Sequence, residues 1–77
     1  MDESIEPIVE WFRSQGFRIV YVTSAVCLLA HAELPGVEAR IGTVYSVVER
    51  DGEEIYRMAH RDFDRAAAHE RIFGGQP

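Results

Sequence analysis

The sequence has no lysine and no asparagine, and all eight of its basic residues are arginine. Both missing residue types have A-rich codons, so their joint absence indicates a GC-rich coding sequence and says nothing of function. Cys27 is the single cysteine, which excludes an internal disulfide. The longest apolar run extends from Ala25 toward Glu33 with His31 inside it, far short of the roughly 20 residues a membrane-spanning helix needs. No basic start leads into an apolar stretch and a small-residue cleavage site, so no secretion signal is expected. The expected location is therefore cytoplasmic, in a bacterium or in a host cell. No glycine-rich loop is placed to cradle a phosphate, and no repeat, linker or low-complexity segment interrupts the chain.

What is present suits one small globular domain covering residues 1–77. At 77 residues the chain lies near the lower limit for a self-supporting core, and 47% hydrophobic with 27% charged residues is an ordinary globular mixture. The net charge of −5 is unevenly spread. Residues 1–16 carry Asp2, Glu3, Glu6 and Glu10 against Arg13, and residues 33–54 carry six acids against Arg40 and Arg50. That balance disfavours general binding to phosphate backbones, which needs clustered positive charge.

Ile5, Ile8, Val9 and Phe12 recur at helical spacing, with Ser4 as N-cap, Pro7 in the first turn and Gly16 as the stop. Trp11 falls at the border of that stripe. Residues 17–23 (FRIVYVT) are β-branched and aromatic and read as a strand. Residues 24–34 fit either a strand or a helix capped by Ser24, and the strand is preferred. A turn at Pro35-Gly36 would set Ala30 opposite Ile41, Leu28 opposite Thr43 and Val26 opposite Tyr45. Residues 41–60 read as a hairpin about Asp51-Gly52, a pair that tolerates positive φ. That register opposes Glu49 to Glu54, Val47 to Tyr56, Tyr45 to Met58 and Thr43 to His60, and leaves one sheet face largely open. Asp62 then caps a last helix ended by Gly74-Gly75, before a tail at Gln76-Pro77. The helix face comprises Phe63, Ala66, Ala67 and Phe73, with Glu70 pointing into its middle, where it either pairs with Arg18 or Arg57 or sits on a helix end loose enough for it to reach water. The expected fold is α+β, a small three-stranded antiparallel sheet flanked by N- and C-terminal helices. Its order is α-β-β-β-α, or α-β-α-β-β-α with residues 24–34 helical.

Chemical motifs are sparse. His60-Arg61-Asp62 spells the start of a protein-kinase catalytic loop, but that loop acts only inside a much larger fold that supplies a nucleotide loop and a strand lysine. Cys27, His31, His60 and His69 match no zinc spacing, and Cys27 sits in apolar surroundings with no neighbouring charge to activate it. No catalytic residue, metal site or cofactor is expected. The acids are the better candidates for a partner-binding surface: Glu49, Asp51, Glu53 and Glu54 at the hairpin tip, and Glu6 and Glu10 beside Trp11 on the first helix. Like charges directly opposed across a hairpin destabilise it, so that tip is either strongly solvated or suited to a basic partner.

The α-β-β-β-α order and alanine-rich last helix resemble the double-stranded-RNA-binding domain, at the level of topology. The resemblance implies duplex-RNA contacts from lysines at the start of the last helix, where this chain has Asp62-Phe63-Asp64-Arg65. The function expected from the residues is a non-catalytic acidic interaction protein whose partner is a larger host protein or complex with a basic surface. An inhibitor of a host nucleic-acid-binding complex, of the anti-defence kind carried by phages and mobile elements (anti-CRISPR-like), has this character. The alternatives are an arginine-based nucleic-acid-binding module using Arg57, Arg61, Arg65 and Arg71, and a small homodimeric ligand-binding domain. A nucleic acid is the less favoured partner, and no membrane association is expected.

Overall fold

A computed structural model describes residues 5–74 of the chain. Helix α1 (Glu6–Ser14) precedes five strands, β1 (Phe17–Val22), β2 (Cys27–His31), β3 (Val37–Ile41), β4 (Tyr45–Arg50) and β5 (Glu53–Ala59). A 3-10 turn, His60–Asp62, leads to helix α2 (Arg65–Phe73). The strands form one antiparallel meander in the order β1-β2-β3-β4-β5. Ser4, Asp2, Glu3 and the tail from Gly75 lie outside the described residues.

The sheet therefore has five strands and not the expected three, and the α-β-β-β-α order shared with the double-stranded-RNA-binding domain does not hold. The extended runs read at 17–23, 24–34 and the two arms of the 41–60 hairpin already number four, and a local turn before β4 supplies the fifth strand. Thr23 accepts the amides of Ala25 and Val26 on its Oγ1 at 3.1 and 3.0 Å, which folds the chain between β1 and β2. Between β3 and β4 the amide of Gly42 donates to the carbonyl of Tyr45 at 2.9 Å, so the stretch expected to run from the Pro35-Gly36 turn to Arg50 divides into β3 and β4. Within residues 24–34, the preferred strand reading holds over β2.

The register also departs from expectation on both sides of β3. The connection from β2 runs through residues 32–36, so Cys27 faces Ile41, Leu29 faces Ala39 and Ala30 faces Glu38. At the far hairpin the Asp51-Gly52 turn forms as expected, with φ of 54° and 83°, and Glu49 does oppose Glu54. Beyond them a bulge at Ile55 shifts the pairing to Val48–Tyr56, Val47–Arg57 and Ser46–Met58. Because side chains alternate, this one-residue slip exchanges the faces. Pairing with Ala39 has already committed Val48 to the core, and the bulge lets Tyr56 and Met58 join it. Tyr45 and Val47 consequently point away from the core, and the pairs Val47–Tyr56, Tyr45–Met58 and Thr43–His60 do not form. A second bulge lies at Val20 in β1, so both irregularities fall in edge strands.

Both helices pack on one face of the sheet. Ile5, Ile8, Val9 and Phe12 of the first segment are buried, together with Phe17, Cys27, Leu29, Val37, Ala39, Ile41, Val48 and Tyr56. Trp11 is half-buried, as its border position predicts, and meets Phe12 and Phe63 edge-on at 4.9 and 5.6 Å. Helix α2 starts later than expected: Asp64, not Asp62, is its N-cap, and Asp64 Oδ1 accepts the Ala67 amide at 3.1 Å. Its buried residues are Ala68 and Ile72, so Glu70 is exposed and needs neither Arg18 nor Arg57. Arg50, on the helix side of β4, donates to the Ile72 carbonyl at 2.8 Å and ties the hairpin to the end of α2.

Candidate functional site: the open face of the sheet

Strand alternation decides what the uncovered face presents. In β3, Val37, Ala39 and Ile41 are buried, so Glu38 and Arg40 point outward. Register then aligns these residues across the strands. One row runs Ala30, Glu38, Glu49, Glu54, placing three carboxylates on β3, β4 and β5 side by side. The adjacent row runs Tyr21, Leu28, Arg40, Val47, Arg57. Beyond it Tyr45 is 49% exposed, with the Arg57 guanidinium 5.8 Å from its ring centre.

The two rows are stitched together by ion pairs. Arg40 reaches Glu49 at 2.8 Å and Arg57 reaches Glu54 at 2.9 Å. These surface pairs offset the repulsion between the opposed glutamates, each typically contributing ~0.2–1 kcal/mol. Glu38 makes no ion pair among the described residues. The face is thus banded: an acidic row, a row in which aliphatic groups alternate with arginines, and an exposed tyrosine. Beside that tyrosine a cleft of about 300 Å³ is lined by Thr43, Val44, Tyr45, Ala59, His60 and Arg61.

The expected partner-binding residues do not form one surface. Glu49 and Glu54 lie on the open face and are engaged by arginine, while Asp51 and Glu53 are exposed at the tip. Glu6 and Glu10 sit on the solvent side of α1, across the sheet from them, and Glu10 pairs with Arg13 at 3.2 Å. Trp11 belongs to the aromatic cluster under α1. Sequence reasoning missed Glu38, Tyr21 and Tyr45 as members of this face. The period-two burial of Val37, Ala39 and Ile41 was the available signal for Glu38, and the two tyrosines depend on register.

The arginines proposed for nucleic acid are also divided. Arg57 is on the open face, Arg65 and Arg71 are on α2 across the sheet, and Arg61 lies in the 3-10 turn, 3.5 Å from Asp62. Arg61 and Arg65 therefore do not share a helix. Cys27 is fully buried, and burial pushes its thiol pKa up. His31 bonds the end of α1, with Nε2 at 2.8 Å from the Gln15 carbonyl, and His69 packs on Phe73 at 4.9 Å. Among the described residues no three His, Cys, Asp or Glu side chains are grouped to hold a metal ion. No described helix is long and apolar enough to cross a membrane.

Comparison of the chain with protein-family models, with curated proteins and with solved structures finds no match.

Proposed function

We propose that this protein is a non-catalytic interaction module that docks the open face of its sheet on a larger protein. The observation that supports this reading is the banding: the Glu38–Glu49–Glu54 row lies beside Leu28, Val47 and the exposed rings of Tyr21 and Tyr45. Amphipathic aromatics beside charge serve well as interface anchors, because one group supplies apolar contact and the other supplies orientation. The complementary partner surface carries basic groups next to an apolar patch. The basic channel of a nucleic-acid-binding complex is one surface of that chemistry. A chain occupying it would act as an inhibitor, in the manner of phage and mobile-element anti-defence proteins.

Affinity capture with the wild type, Glu38→Lys and Tyr45→Ala tests the reading. Both positions are exposed, so circular dichroism of the variants should match the wild type. A partner retained by the wild type, lost by Glu38→Lys and released by added salt supports it. A partner held equally by all three proteins refutes it. A gel shift with duplex RNA or DNA at low salt would favour the arginine-based alternative instead.

A further inference from the structure

We propose that β1 is a self-pairing edge, through which two copies of this chain join their sheets antiparallel about a two-fold axis. The proposal rests on edge geometry and not on the docking face described above.

Four exposed apolar side chains run consecutively in β1: Ile19 at 37%, Val20 at 56%, Tyr21 at 48% and Val22 at 44%. Single exposed hydrophobics are ordinary on a protein surface, but a continuous run along an unpaired strand edge is a template for another strand. The opposite edge differs. Strand β5 exposes Glu53, Glu54 and Arg57, the charges that keep a sheet edge from pairing, and α2 packs beside it. The only charge in β1 is Arg18.

The bulge at Val20 determines what fits this edge. Ile19 faces Leu29 and Val22 faces Cys27, so both point to the helix side of the sheet. Tyr21 faces Leu28 on the open side. Without the bulge, Ile19 and Val22 would lie on opposite faces. With it, a two-fold axis near Val20 and Tyr21 pairs Ile19 with Val22 of the second copy, and Arg18 with Thr23, each pair on matching faces. Val20 and Tyr21 of the two copies gather at the axis, the kind of β-branched and aromatic contact that stabilises neighbouring strands. No like charges are opposed. The acidic tip between β4 and β5 lies at the far edge of each sheet, away from the seam; on α1, which packs on β1, Glu6 and Glu10 are exposed to solvent and Glu10 is paired with Arg13. A second copy therefore satisfies both faces of β1 at once. An edge contact between six-residue strands belongs at the small end of specific interfaces, below ~1,200 Å², so the dimer is weak and forms with rising concentration.

Sedimentation velocity of the full chain from low to high micromolar concentration tests this. The wild type should pass from monomer to dimer. Val20→Arg places like charges at the axis and should weaken the dimer by more than about tenfold, while Tyr45→Arg, on the docking face, should leave it intact. Val20→Cys should form a disulfide-linked dimer under mild oxidation, since Cys27 is buried and does not compete. A wild type that stays monomeric throughout overturns the proposal, and so does a dimer indifferent to Val20→Arg. Loss of the dimer in Tyr45→Arg alone would assign it to the open face instead. Because the edge and the face are probed by different variants, failure of one reading leaves the other standing.

Discussion

Adding one methyl group at Gly16 should reveal how α1 is fastened to the sheet. Gly16 follows the end of the helix with φ of +101°, and a Cβ there would come within 2.7 Å of His31 Nε2 and 3.0 Å of Cε1. The imidazole has little freedom to retreat. Its Nδ1 accepts the Glu33 amide at 3.0 Å, so Nε2 carries the proton donated to the Gln15 carbonyl at 2.8 Å. The ring also meets Phe17 and Phe73 edge-on at 4.9 and 5.6 Å. In Gly16→Ala, left-handed backbone on a residue with a Cβ costs ~1–2 kcal/mol. Loss of the His31 hydrogen bond adds ~0.5–1.5 kcal/mol, and reduced freedom of the unfolded chain offsets ~0.4–1 kcal/mol. The net loss is about 2 kcal/mol, or a fall in Tm of about 10 °C for a domain of this size. Gly52→Ala is the control, because Gly52 has φ of +83° with no atom within 4 Å of its Cβ position. It bears the backbone term alone, about 1 kcal/mol. Urea denaturation of both variants, with the double variant Gly16→Ala/His31→Ala, measures the difference. Equal losses at the two glycines, or strict additivity with His31→Ala, would refute the clash argument.

Two further outcomes follow from buried polar atoms. Ser46 is fully buried between Ile41 and Met58, and its Oγ has no hydrogen-bond partner among the described residues. Ser46→Ala should therefore raise stability by about 1 kcal/mol in thermal or urea unfolding, and a loss would show that the hydroxyl is satisfied. Burial raises the Cys27 pKa, which favours the neutral thiol in the folded state. The associated stabilisation is complete below the ordinary thiol pKa and is lost as pH rises through the higher folded value. The native protein should resist a thiol reagent at neutral pH and react at the rate of its opening, and immediate stoichiometric labelling would contradict the burial.

Local chemistry made several elements legible. The apolar stripe of Ile5, Ile8, Val9 and Phe12 depends only on helical period, and the Asp51-Gly52 turn only on tolerance of positive φ. The opposition of Glu49 and Glu54 follows from that turn by counting two residues outward. Of the candidate site, Glu49 and Glu54 were visible in this way. Glu38 and the two tyrosines were not, because their positions depend on which residues of neighbouring strands they face. The placement of Glu70 on the buried face failed for a related reason: with the cap at Asp64 and Ala68 and Ile72 buried, Glu70 lies in solvent, the second of the two outcomes read for it.

The sequence alone determined a small α+β fold with an acidic hairpin tip and no clustered positive charge. Only the tertiary structure decided the number of strands, their register and therefore the face each side chain occupies. The physical reason is the period of two in a β-strand: a slip of one residue, as at Ile55 or Val20, exchanges inside and outside for everything beyond it. Local preference barely distinguishes the two states, and burial of Val48 against Ala39 and Tyr56, available only once the strands have met, selects between them.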